Sequence, residues 1–259
     1  MWLSQATFVG VAVANAQRLV YAALDEAQRL LALSQGDLAE VTAFCGGQQR
    51  AAVAIGAPAT PSKGLLQQAH YRQTLPHALR PGRWQEGRVA EYLLRRHNLR
   101  MLPTPADPRR APAWVQTAFR LVHRLQQGGY AAYPATDAPL LWLETYPYAG
   151  FAALLGHLPW GRRSLEGRIQ RQLVLREQGL DLPDPLRIFE EFTRHRFLQG
   201  VLPTEGLFTP PELDALLAAW TAYRAATAPD EVTALGEPEE GVIVLPVPAL
   251  KPRYAGGAG

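Results

Sequence analysis

Two carboxylates stand where a charge needs a reason. Glu144 lies at the end of the apolar run Leu140 to Thr145, in Leu143-Glu144-Thr145-Tyr146-Pro147-Tyr148. A charge there is costly unless it reaches the sheet's edge, is paired, or holds a metal ion. Asp214 stands in Pro210-Pro211-Glu212-Leu213-Asp214-Ala215-Leu216-Leu217-Ala218-Ala219, a helical stretch of small and apolar residues that must pack closely on its neighbours. Such a carboxylate either caps or pairs structurally, or faces a site. Glu91 is a third candidate, with Arg88 and Arg95 at the i−3 and i+4 spacings that pair charges along a helix.

Other chemistries lack their residues. No Gly-x-Gly-x-x-Gly follows a strand, and Gly56 to Gly64 lacks the glycine that precedes the lysine of a phosphate-cradling loop, so no nucleotide cofactor is expected. None of Ser4, Ser34, Ser62 and Ser164 sits in a Gly-x-Ser-x-Gly elbow. His70, His77, His97, His123, His157 and His195 lack metal-site spacing. Cys45 is the single cysteine, which excludes an intramolecular disulfide and reads as a small buried thiol.

The elements that must position the carboxylates follow from periodicity. Thr7 to Ala14 alternates as a strand, a turn at Asn15 to Gln17 leads to a second over Arg18 to Leu24, and Leu30 to Leu33 adds a short third. Ser34-x-x-Asp37 offers capping for a helix running to Gly46-Gly47. Ala51-Ala52-Val53-Ala54-Ile55 is a strand buried on both faces. Residues 59 to 85 read as a long loop. Helices follow over Arg88 to His97 and Trp114 to Gln126, then a strand over Leu140 to Thr145. Further helices cover Tyr148 to Leu155, Ser164 to Glu177, Leu186 to Leu198 and Pro210 to Ala226, and Val242 to Leu245 is a strand or a packed tail. This order is expected of an α/β, RNase H-like mixed sheet with N-terminal hairpin strands, flanking helices and a helical or loop insertion, though doubly wound folds share parts of it. One domain over 1–250, an insertion at about 59–135 and a flexible tail over 251–259 are expected from these boundaries.

The 259 residues are 47% hydrophobic and 19% charged, ordinary for a globular chain, with a net charge of +3. The distribution is uneven. Lys63, Arg72, Arg80, Arg83, Arg88, Arg95, Arg96, Arg100, Arg109 and Arg110 stand against Glu86, Glu91 and Asp107, whereas residues 203–240 are acidic and only Arg224 opposes them. The asymmetry points to a solvated basic face, to a polyanion groove, or to two segments that face and neutralise each other; Trp84, Tyr92 and Trp114 are either packing residues or platforms that stack bases in such a groove. No apolar run approaches the roughly 18 residues that span a bilayer, and Met1-Trp2-Leu3-Ser4-Gln5 has no basic leader region, so a cytoplasmic setting without membrane contact is expected.

From Leu141 to Pro246 the chain resembles the domain-of-unknown-function family 429, predicted nucleases with an RNase H-like fold. Carrying the resemblance are Glu144-x-Tyr146-Pro147, Leu213-Asp214-Ala215 with Ala219 and Ala222, and Gly236-x-x-x-Glu240-Gly241-x-Ile243-x-x-Pro246, with Arg88-x-x-Glu91 as a further element. It implies metal-dependent phosphodiester hydrolysis, with Glu144 and Asp214 as catalytic and metal-ligating residues for Mg²⁺ or Mn²⁺; the basic run, read as a polyanion groove, separately places Arg88, Arg95 and Arg96 against nucleic acid. The family's first strand carries Gly-[Val/Ile]-Asp and a later one Ile-Asp-x-Pro, where this chain has Gly10-Val11-Ala12 and Ile55-Gly56-Ala57-Pro58. Both aspartates are missing, and a mechanism that holds two cations about 3.5 to 4 Å apart needs them. Two readings follow: a nuclease with a weakened or inactive centre, or a non-catalytic module that binds nucleic acid or a protein partner.

Overall fold

A computed structural model describes residues 6–75, 82–135 and 137–257. Arg80 and His77 lie outside the described residues. Three antiparallel strands open the chain, β1 (Thr7–Val13), β2 (Leu19–Leu24) and β3 (Leu30–Gly36). The turn between the first two is held by the Asn15 side chain, which accepts from the Gln17 and Arg18 amides at 2.9 Å each. Helix α1 (Leu38–Gly46) follows, its start fixed by a capping box between Asp37 and Glu40, so the cap is Asp37 itself and β3 runs on to Gly36.

Strands β4 (Ala51–Ile55) and β6 (Leu140–Thr145) lie parallel to β1. A two-residue β5 (Ala131–Ala132) pairs with the start of β6, and β8 (Gly241–Leu245) pairs with its end. The sheet order is β3-β2-β1-β4-β6-β8-β7, where β7 (Thr233–Glu237) forms an antiparallel ribbon with β8. The sequence pattern missed β7: Thr-Ala-Leu-Gly-Glu has little apolar alternation, and only its pairing to β8 makes it a strand.

Strand parity sorts the core into two layers. Val9, Val11, Val53, Ile55 and Trp142 face α1 and α4 (Ala113–Gln127), whereas Phe8, Ala12, Ala54 and Leu143 face α8 (Pro210–Thr227). Cys45 packs in the first layer, fully buried, and burial pushes its thiol up to about 12. Phe8 meets Tyr223 edge to face at 5.0 Å, and Gly10 lies against Ala215 and Ala219, so α8 runs antiparallel to β1. The N-terminal turn of α8, with Asp214, therefore sits at the C-terminal end of the parallel strands. Outside α8 lie α6 (Leu165–Glu177) and α5 (Pro147–Leu155).

Between β4 and α4 the chain is not one loop. It carries α2 (Ala69–Thr74), short 3₁₀ turns, and α3 (Val89–Arg96), which packs Ala90 and Leu94 on Ile243 and Leu245. The helix expected over Leu186 to Leu198 is broken into a 3₁₀ turn, Pro185–Phe189, and α7 (Arg194–Leu198), which Thr193 caps. Within the expected loose tail, Lys251 and Tyr254 are anchored to the domain. Tyr254 is buried, its amide donates to the His97 carbonyl at 3.0 Å, and Lys251 Nζ reaches the Gly156 carbonyl at 2.9 Å. Among the described residues no helix is long and apolar enough to cross a membrane.

A Cβ at Gly10 would stand 2.0 Å from the Ala215 carbonyl oxygen and 2.1 Å from the Ala219 nitrogen. Both are helix backbone, so α8 itself has to move. Gly10→Ala is therefore expected to destabilise the fold by about 1 to 3 kcal/mol or more, measured as a fall in the urea midpoint. An unchanged midpoint contradicts the close packing of β1 on α8.

Candidate functional site

At the C-terminal edge of the parallel strands each of the two suspected carboxylates is held by an arginine. Glu144 shares its side of the sheet with its lateral neighbours Ile55 and Ile243, the side covered by α3. There it meets Arg88, the residue that opens α3, whose side chain has 0% exposure. Arg88 Nη1 donates to Glu144 Oε2 at 2.7 Å and Nη2 to Oε1 at 2.5 Å, a two-pronged contact that fits a planar fork to a planar carboxylate. The third edge of the guanidinium, Nε, donates to Glu91 Oε1 at 3.0 Å.

The remaining lone pairs are also used. Glu144 Oε2 accepts from the Ala59 amide at 2.8 Å, and Glu91 accepts from the amide and hydroxyl of Thr104. Beside them the buried Glu240, in the turn between β7 and β8, accepts from the amides of Lys63, Leu65 and Val89 at 2.8, 3.3 and 3.0 Å. Burial alone would lower the Arg88 pKa, but the carboxylates of Glu144 and Glu91 hold it above the ordinary arginine value. Burial pushes the Glu144 carboxyl above the ordinary carboxylate range, against the opposing pull of Arg88 and the Ala59 amide.

Asp214 belongs to a second cluster. Its Oδ2 accepts from Nε of Arg162 at 3.0 Å and again from Nη2 of the same fork. Asp214 is 16% exposed and Arg162 46%. Burial raises the Asp214 pKa, while Arg162 and the nearby Arg171 oppose the rise. Arg171 is itself buried, donating to the Gly167 carbonyl at 2.8 Å and lying over the Phe151 ring at 5.4 Å.

Glu144 and Asp214 thus lie at one end of the sheet but on opposite faces, since α8 packs on the side that Leu143 faces and Glu144 points away from. They do not form one centre. Ala12 packs on the α8 face, neither it nor Gly56 carries a side-chain oxygen, and a Cβ at Gly56 would meet Pro147 Cγ at 2.9 Å. The donor set does not fit a divalent cation: Glu144 is committed to Arg88 and Ala59, Oδ2 of Asp214 is taken by Arg162, and no group of three or more His, Cys, Asp or Glu among the described residues is placed to hold a metal.

Arg88 must be set apart from the residues expected to contact nucleic acid, because it is sealed from solvent and committed to two carboxylates. Arg95 is exposed and Arg96 half-buried. Glu91 pairs with Arg88 rather than Arg95, and does so in the interior. The acidic segment does lie against the basic one, but through Glu240 on peptide amides and Glu237 on the Tyr71 hydroxyl at 2.5 Å. Among the described residues no ion pair joins 203–240 to an arginine of 63–110. Sequence reasoning gave Arg162 no role; Arg162-Arg163 ahead of the Ser164 helix cap was the available signal.

The fold and site define a mixed α/β domain whose carboxylates at the strand ends are held by guanidinium groups. A family model described as a protein of unknown function (DUF429) matches residues 10–240, and the chain belongs to that family. No curated protein and no solved structure matches it.

Arg88→Met keeps most of the side-chain volume but strands Glu144 and Glu91. A loss of about 3 to 5 kcal/mol at neutral pH is expected. Because the folded pKa of Glu144 is raised, its contribution is present below the ordinary carboxylate value and lost as pH rises through the raised one. Without the opposing Arg88 charge that rise is larger, so the variant's deficit should be smaller at about pH 5 than at about pH 8 in denaturant titrations. An equal deficit at both contradicts the burial of an unpaired carboxylate.

Proposed function

We propose that the chain is an RNase H-like domain that binds nucleic acid through its phosphate backbone without hydrolysing it. The RNase H-like reading is supported by the antiparallel β1-β2-β3 meander continued by parallel β4 and β6, with a helix antiparallel to β1 behind it. The observation that carries the functional reading is the Arg162–Asp214 pair, a guanidinium standing at the carboxylate where a catalytic metal is expected. A guanidinium pairs with phosphate but does not lower the pKa of a water molecule as a divalent cation does. Exposed Arg83, Arg95, Arg100 and Arg110 form no ion pair among the described residues, so their charge is available to a polyanion.

Fluorescence anisotropy with a labelled single strand and a labelled duplex tests this. Four or five phosphate contacts give a log–log salt slope of about −4 on duplex and about −3 on a single strand. Arg95→Ala with Arg96→Ala should flatten the duplex slope by about 2, and no cleavage should follow addition of Mg²⁺ or Mn²⁺. Mg²⁺-dependent cleavage that disappears in Asp214→Asn overturns the non-catalytic reading. A protein-interaction role rests on one other observation, the exposed apolar residues Phe189, Phe197, Leu198, Val201 and Leu202. It is the reading left standing if nucleic acid does not bind at low salt.

A further inference from the structure

A cavity of about 370 Å³ opens at the C-terminal end of β4, on the α4 side of the sheet. Its size is at the low end of the roughly 300 to 1,000 Å³ of small-ligand sites. Its lining is mostly apolar and includes the half-buried Trp114, Met101, Pro103 and Gly56. Charge is confined to the mouth, where Arg83, Arg110 and Glu86 are exposed. Neither Arg83 nor Arg110 has an ion-pair or hydrogen-bond partner for its side chain among the described residues, whereas neighbouring Arg109 is fixed by Asp107 at 3.1 Å.

Three features limit what fits. A slot walled by an indole and prolines suits a planar ring rather than a branched aliphatic group. Two unpaired guanidinium groups at the opening suit an anion attached to that ring. One carboxylate beside them suits N–H or hydroxyl donors between ring and anion. A nucleotide carries all three, and the 15-residue helix α4 begins at the same mouth without a side-chain cap, which adds amide dipoles of the sign an anion needs. Tyr146 also lines the cavity and is held there by its hydroxyl, which donates to the Arg100 carbonyl at 2.9 Å.

We propose that this cavity is a nucleotide pocket that takes one unstacked base, with Trp114 against its face, Arg83 and Arg110 on its phosphate, and Glu86 on its sugar or base-edge donors. That the nucleotide belongs to a strand rests on the nucleic-acid reading above; the pocket itself does not.

The test is calorimetric titration of the full chain with adenosine 5′-monophosphate, adenosine and inorganic phosphate, run beside anisotropy with a labelled single strand. The monophosphate should bind with a Kd of about 1 mM or tighter and adenosine about tenfold more weakly. Arg83→Ala with Arg110→Ala, both exposed and safe for folding, should erase the difference between nucleotide and nucleoside. Trp114→Leu should weaken both ligands together, with the unfolding midpoint measured to show that the fold is intact. No monophosphate binding, binding indifferent to the arginine pair, or phosphate alone binding as well as the nucleotide overturns the pocket. Strand binding that is unmoved by all these variants sinks the pocket and restricts the backbone reading to Arg95, Arg96 and Arg100. Mononucleotide binding without strand binding keeps the pocket and removes the strand.

Discussion

A guanidinium sealed from water is tolerated only where every one of its edges meets an acceptor and its charge meets an opposite charge. Arg88 satisfies that condition with Glu144 on one side, Glu91 on another and the Thr60 hydroxyl at 3.2 Å. The rest of the molecule is arranged around it. Glu144 brings in the central strand β6, Glu91 brings in α3 and through Thr104 the following loop, and Glu240 brings the β7–β8 turn onto the amides of the β4 exit. Five segments separated by up to 180 positions are fixed by this group of buried charges, and removing Arg88 leaves Glu144 and Glu91 unpaired in the interior.

The same residue types do something different on the other face. Arg162 and Asp214 are partly open to solvent, and their pair can exchange with an incoming anion at a cost that the Arg88 network would not permit. Buried Arg171 adds a second positive charge behind the pair. The edge of the sheet is thereby cationic where metal chemistry would require it to be anionic. Ala12 and Gly56 contribute no side-chain oxygen, and among the described residues no group of three or more His, Cys, Asp or Glu is gathered there.

Close packing explains why the site sits where it does. Gly10 lets the backbone of α8 approach β1, and the alanines at 215, 218 and 219 complete that contact. The approach sets the depth of α8, and with it the position of Asp214 at the end of β1. On the opposite face α4 sits farther along the edge, and the space left between its first turn and the Met101 to Pro105 segment is the cavity.

Local pattern was enough for much of this chain. The five-residue apolar run of β4, the six residues of β6, the Asp37 cap and the helix over Pro210–Thr227 are all readable, because parity, capping and helical period are properties of neighbouring residues. Glu144 and Asp214 could be singled out for the same reason, each being a charge in an apolar run. What no local signal carried was the direction in which each pointed and the partner it met. Arg88 and Glu144 are 56 positions apart, Arg162 and Asp214 52, and β7 exists only because β8 lies beside it. The sequence by itself determined which charges needed an explanation. Only tertiary structure decided that explanation, because a buried charge is satisfied by whatever group folding brings within about 3 Å, however distant in the chain.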